Sequence, residues 1–154
     1  MRTHFTLRGL ALVAALAVSP VLMSAPARAV DNMSSSDDVD LTSVREKIKA
    51  KDYKAALTEL RDLSEDNQNA DVYNLLGFTL RKTGDYETSL SYYTKALDLQ
   101  PDHKAAREYL GELFVETGKM DKAKEQLAAL VKLCPGGCEE REDLEKAIAA
   151  KGGN

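Results

Sequence analysis

The chain has 154 residues, enough for one small domain, with 44% hydrophobic and 30% charged residues and a formal net charge of −4. Setting aside the first 29 residues, which carry three arginines and no acid, takes the balance from −4 to −7. A negative domain argues against nucleic acid and against anionic lipid surfaces as partners. It implies solubility and little more.

Arg2 and Arg8 form a basic start, followed by an apolar run, LALVAALAVSPVLM, from Leu10 to Met23. The run is shorter than the roughly 20 apolar residues that span a bilayer. Ala27-Arg28-Ala29 then supplies an A-x-A cleavage signal, so residues 1–29 are predicted to be a secretory signal peptide cut after Ala29, with no membrane insertion after cleavage. The alternative is an uncleaved N-terminal anchor. No cysteine follows the run to serve as a lipoprotein attachment point. Residues 30–38, which include DNMSSSDD, lack periodicity and are predicted to be a disordered leader. A solvated spacer is the plain reading of this segment and a recognition tail the alternative.

From residue 39 onward the pattern is helical and repetitive. Gly77 and Gly111, Gly84 and Gly118, and Pro101 and Pro135 all stand 34 apart, the signature of a repeat architecture. Each unit reads as two helices. The first shows Tyr73, Leu76 and Leu80 in one copy and Leu110 and Phe114 in the next. Thr-Gly ends it, because glycine accepts the left-handed conformation at a helix terminus. Asp85 or Asp121 then places a carboxylate near the next N-terminus. The second helix carries a small residue early, Ser89 or Ala123, then Tyr93 and Leu97 or Leu127 and Leu130. A glycine inside a helix costs about 1 kcal/mol relative to alanine. Gly77 and Gly111 are therefore expected where one helix crosses its partner closely, since burying one Leu or Tyr returns roughly 1.5–3 kcal/mol.

These residues resemble the tetratricopeptide repeat family, whose pattern combines a bulky residue, Leu-Gly, small residues, an aromatic and a closing proline. Tyr73, Leu76-Gly77, Leu80, Ser89, Tyr93, Ala96 and Pro101 match it well. Leu110-Gly111, Phe114, Ala123, Leu127, Leu130 and Pro135 also match, while Arg107 departs where the first aromatic is expected, which predicts a looser corner there. A degenerate unit precedes them: AKDYKAALTEL echoes TGDYETSLSYY at a spacing of 33, with Val44 where Gly77 stands and a wider helix crossing expected. The last segment, EEREDLEKAIAA, offers Leu144 and Ile148 on one face and is expected to cap the array. The resemblance implies an all-α fold, a short α-solenoid of about three repeats plus a capping helix, seven helices in all. The units fall at 39–69, 70–103 and 104–137, the cap at 138–150, and a disordered tail at 151–154. A helical bundle pairing with another chain is the alternative architecture.

Cys134 and Cys138 are the only cysteines. An exported chain meets an oxidising compartment, and Pro135-Gly136-Gly137 between them allows a sharp turn, so a disulfide is expected. Small exported bacterial tetratricopeptide proteins often end in a similar Cys-Pro-x-Gly-Cys-Glu-Glu segment, which supports that placement; the export reading and the resemblance together imply the bacterial periplasm as location. Two free thiols, or a redox or metal role, stay open as alternatives. The spacing is C-x-x-x-C rather than C-x-x-C, and zinc wants four ligands where the processed chain offers one histidine, His103. His103 follows Pro-Asp at a helix start and reads as a capping or solvated residue.

No catalytic constellation, cofactor motif or metal site is evident, which points to a non-enzymatic module. The first helix of each unit is expected to line the concave face of the solenoid. That gives Asn74, Phe78, Arg81 and Lys82 from one unit, Glu108, Glu112, Val115 and Glu116 from the next, and Arg45, Ile48 and Lys49 from the degenerate one. The groove would be basic at one end and acidic at the other, with Phe78, Ile48 and Val115 as an apolar floor for a protein or peptide partner. The competing reading pairs these charges across adjacent helices and leaves Phe78 in the core. Some tetratricopeptide domains clamp a C-terminal carboxylate, but Leu75 and Tyr109 stand where polar clamp residues would be expected. Self-assembly through an exposed end of the solenoid, or thiol–disulfide chemistry at Cys134 and Cys138, are the alternative functions.

Overall fold

The protein is described by a computed structural model over residues 39–152. The expected signal peptide, its cleavage site at Ala29 and the leader lie outside these residues. Seven helices follow one another, with no strand among the described residues: α1 (Thr42–Lys49), α2 (Tyr53–Asp66), α3 (Ala70–Lys82), α4 (Tyr86–Leu99), α5 (Lys104–Glu116), α6 (Met120–Leu133) and α7 (Glu139–Gly152). They pack as consecutive pairs, each stacking on the next, with α7 against both α5 and α6. This is an α-solenoid of helix–turn–helix units. Among the described residues no helix is long and apolar enough to cross a membrane.

The turn inside each unit has one construction. Gly84 and Gly118 take positive φ, 87° and 74°. Asp85 N–H then donates to the Leu80 carbonyl (3.0 Å) and Gly84 N–H to that of Arg81 (3.0 Å). Lys119 and Gly118 repeat the arrangement on Phe114 and Val115. This double closure satisfies carbonyls that a helix end would otherwise leave unpaired. The degenerate unit makes the same bonds, from Asp52 to Lys47 and from Lys51 to Ile48, both at 2.9 Å. There the left-handed position is filled by Lys51, the one non-glycine residue with positive φ among those described (61°).

Helix starts follow the side chains on offer. The carboxylates of Asp52 and Asp85 accept the N–H of Ala55 and Thr88. The matching position before α6 is Lys119, which cannot accept, and Asp121 sits inside the first turn without capping. Asn69 caps α3 through two N–H groups. His103 caps α5, its Nδ1 accepting from Ala106 N–H (3.3 Å) while Nε2 faces Asp71 Oδ1 at 3.1 Å.

The two helix-interior glycines are explained by side chains, not by backbones in contact. A Cβ on Gly77 would lie 2.7 Å from the ring of Tyr93, which is fully buried. Ser89 Oγ donates to the Gly77 carbonyl at 2.7 Å, fixing α4 on α3. At Gly111 the expected close neighbour was α6, the partner within the unit. Instead a Cβ there would meet Leu144 of α7, 2.5 Å away. The cap thus fills the notch that Tyr93 fills one unit earlier. Leu144 is fully buried, and Ile148 packs behind it against the same core. Cys134 and Cys138 are disulfide-bonded with their Cα atoms 6.0 Å apart, tethering the end of α6 to the start of α7.

Two expectations are revised by packing. The corner at Arg107 is not left loose: its guanidinium donates to the Pro101 carbonyl (2.6 and 3.0 Å) and to Gln126 (3.2 Å). Polar bonds there replace the Tyr73–Tyr92 stack of the preceding unit. α7 also runs through Gly152, two residues into the segment expected as tail, because Ala149, Ala150 and Lys151 are strong helix formers and Lys151 complements the helix dipole.

Gly77→Ala should lower unfolding stability by about 1–3 kcal/mol, the overpacking cost against a buried ring exceeding the gain in helix propensity. Lys51→Gly should raise it by about 1 kcal/mol by relieving the left-handed backbone of a residue with a Cβ. Urea midpoints at constant slope check both, and a Gly77→Ala protein as stable as the parent would contradict the notch.

Candidate functional site

The first helices α1, α3 and α5 share one face, and an open cavity of about 230 Å³ lies on it. Arg45, Ile48 and Lys49 of α1, Leu75 and Phe78 of α3 and Tyr109 of α5 line it. α1 presents Arg45 and Lys49 one turn apart, with Ile48 turned to the same side, as residues three and four apart on a helix are neighbours. Phe78 is half-buried and packs at a tilt on Tyr109, ring centroids 4.9 Å apart at 52°. Such a pair adds about 0.5–1.5 kcal/mol to what its burial supplies. Lys82 Nζ stands 5.2 Å from the Phe78 ring centroid. The wall is therefore aromatic, with cations at its margin.

The charges further along the face are arranged differently from a basic end opposing an acidic end. Arg81 is buried, its side chain only 1% exposed, and it reaches from α3 to two carboxylates of α5, Glu112 (2.5 Å) and Glu116 (2.6 Å). Charge-assisted bonds of this kind are the strong ones, and a buried guanidinium requires them. The guanidinium also lies 5.6 Å from the Phe78 ring and 5.8 Å from that of Tyr109. The positive and negative residues expected to face a partner here thus face each other. Val115, expected in the groove floor, is instead buried, in the core cluster that also holds Leu113, Leu130 and Leu144.

Glu108 is 8% exposed. Burial raises its pKa to about 8, with the carboxylates of Glu112, Asp143 and Glu140 adding to the rise and Arg81 opposing it. Asn74, one turn before Phe78, is 3% exposed and its Oδ1 has no protein hydrogen-bond partner among the described residues. Of the residues named from sequence, the structure brings Arg45 and Phe78 together on one cavity, with Lys82 over Phe78. It engages Arg81, Glu112 and Glu116 with one another and buries Asn74, Glu108 and Val115. Leu75 and Tyr109 were missed as lining residues. Their signal was present: they stand 34 apart, and the clamp comparison had already put them on this face.

Residues 80–135 match the tetratricopeptide repeat family model. The fold agrees with that of PcrH, crystallised in complex with the chaperone binding region of PopD, with a TM-score of 0.61 and 16% identity over 72% of this chain and 84% of that one. Residues 80–135 are thus similar to the tetratricopeptide repeat family, and the described helices share the fold of PcrH. The chain is also similar to the uncharacterized protein ycf37 of Guillardia theta, 30% identical over 73 residues, 47% of this chain and 41% of that protein. A third similarity is to the Sol locus transcriptional repressor of Clostridium acetobutylicum, 37% identical over 62 residues, 40% and 20% of the two chains. The chain thus spans less than half the length of either of these relatives.

Glu108 yields a pH prediction. Its carboxyl holds a proton more tightly folded (about 8) than at its ordinary value of 4.5, so its contribution to stability is full below about 4.5 and is lost as pH rises through about 8. Glu108→Gln should therefore gain stability over the parent as pH rises through that window. The expected gain at pH ~9 is on the order of 1–3 kcal/mol, discounted for solvent screening. Thermal unfolding across pH checks this, and a difference that does not change with pH would contradict it.

Proposed function

We propose that this chain is a non-catalytic tetratricopeptide protein, exported to the bacterial periplasm, which binds a protein or peptide partner on the α1–α3–α5 face. The observation that carries the reading is the open cavity floored by Ile48, Leu75, Phe78 and Tyr109. Side chains from three successive first helices converge there: Leu75 belongs to the core, while Ile48, Phe78 and Tyr109 pack against it and stay half-exposed. A half-exposed aromatic pair with cations at its edge is the composition of a recognition surface. PcrH, whose fold it shares, was crystallised with a region of another protein. Export rests on the basic start, apolar run and Ala27-Arg28-Ala29 site of the first 29 residues. Arg45, Phe78 and Lys82 are proposed to contact the partner, with Asn74 buried behind them. Arg81, Glu112 and Glu116 are proposed to hold α3 and α5 in register beneath it, with Glu108 and Val115 supporting α5 from behind.

Photo-crosslinking from position 78, with position 124 on the exposed surface of α6 as control, tests the reading in cells. A discrete adduct is expected at 78 and none at 124, and its yield should fall at least tenfold with Tyr109→Ala. Equal yields from both positions would remove the face from consideration. Intact-mass measurement on the envelope fraction should find a chain beginning at Val30; a chain retaining residues 1–29 would overturn export with cleavage.

A further inference from the structure

The free charge around the cavity has one sign. Arg45 and Lys49 are exposed on α1, and Lys82 is exposed on α3. None of the three makes an ion pair among the described residues, although their neighbour Lys47 pairs with Glu59 and Arg81 with Glu112 and Glu116. On the opposite side, the carboxylates of α5 are already engaged: Glu112 and Glu116 share the Arg81 guanidinium, while Glu108 is withdrawn from solvent and burial raises its pKa. A chain of net −4 thus carries a locally positive rim around an apolar hollow. The hollow, about 230 Å³, is smaller than the roughly 300–1,000 Å³ typical of small-molecule sites. Its size suits one large apolar side chain, and its floor is aliphatic and aromatic.

We propose that the partner segment is acidic: a peptide that sets one large apolar side chain, aromatic or branched aliphatic, on Phe78 and Tyr109 and flanks it with Asp or Glu facing Arg45, Lys49 and Lys82. This rests on the groove reading and narrows it to one chemistry. Exposed lysines and arginines in high dielectric contribute modest energy each but strongly disfavour a like-charged partner, so they select more than they hold. The anchor supplies the affinity, because burying an apolar side chain is worth roughly 1.5–3 kcal/mol. A long polyanion such as nucleic acid is opposed by the negative balance of the rest of the chain.

The test uses the purified protein and three fluorescein-labelled peptides: Ser-Asp-Asp-Phe-Asp-Asp-Ser, the same peptide with Lys for every Asp, and the first with Ala for Phe. Anisotropy titrations up to about 1 mM, a concentration at which a binding free energy of about 4.1 kcal/mol becomes visible, read the affinities. The acidic Phe peptide is expected to bind at least tenfold more tightly than either control and to weaken as salt rises. In the double variant Arg45→Glu/Lys49→Glu the charge preference should reverse. Both residues are exposed, so the thermal midpoint should not move, and its constancy shows that the variant is folded. Binding of the Lys peptide equal to or tighter than the acidic one would overturn the acidic assignment while leaving the groove standing. No binding by any of the three would overturn the groove reading together with this one. Binding that appears only after deletion of residues 31–38, the acidic DNMSSSDD segment, would give the groove to the chain itself and overturn the external partner.

Discussion

The ring of Tyr93 resting on the bare Cα of Gly77 is the contact that closes the two helices of one unit on each other. It joins levels of structure that are otherwise separate. Tyr93 belongs to α4, seats in a notch of α3, and is itself part of the core that α5 and α6 complete. Because the notch has no Cβ, the helices approach closely enough for Ser89 to reach the Gly77 carbonyl, so the polar and apolar contacts depend on the same missing atom. Burial also raises the pKa of the Tyr93 hydroxyl well above the ordinary tyrosine range, which keeps it neutral beside Arg81. A repeat unit cannot bury its face alone, and in a solenoid the neighbour supplies what is lacking. At Gly111 the notch is filled from outside the unit, by Leu144 of α7.

That stacking sets the electrostatics of the open face. Once α3 and α5 are parallel neighbours, Arg81 lies opposite Glu112 and Glu116, and desolvation of the guanidinium makes their pairing necessary. Removing one partner of a buried pair leaves a charge without compensation, at about 3–5 kcal/mol, so the triad resists sliding of one helix along the other. The side effect is a change in what the surface offers. Charges that in sequence look available to a partner are consumed internally, and the residual field comes from α1 and from Lys82.

The fold was legible in the sequence because its constraints are local and repeated. Glycines and prolines at a 34-residue interval mark positions where the backbone itself is unusual, and Gly84 and Gly118 occupy the left-handed turns that this interval foretells. Lys51 shows the limit, since a turn made by a residue with a Cβ gives no such mark. The identity of the group filling each notch was less legible. Gly77 and Gly111 look alike in sequence, but one receives a residue of its own unit and the other a residue of the cap, and only long-range packing decides which. The site was legible by position and illegible by role. Arg81, Glu112 and Glu116 were placed on the right helices, but whether a charge turns to solvent or to its neighbour depends on the distance between helices. Leu75 and Tyr109 were noticed for the polar groups they lack, when their apolar surface is what the cavity uses.

The position of α7 decides where on the solenoid a partner can be held. By plugging Gly111 it packs on the far side of α5, with Glu140 and Asp143 adding their charge to the surroundings of Glu108. A partner approaching that end would meet carboxylates and a surface already covered. At the other end α1 is short, eight residues against thirteen in α3 and α5, and the degenerate unit has Val44 buried where a glycine notch would be. Its outer residues Arg45 and Lys49 line the rim, and Ile48 meets Leu75 and Phe78 at the cavity. The loss of the repeat pattern in the first unit and the opening of the cavity thus fall at the same place: the short α1 leaves the flank of Leu75 and Phe78 only partly covered.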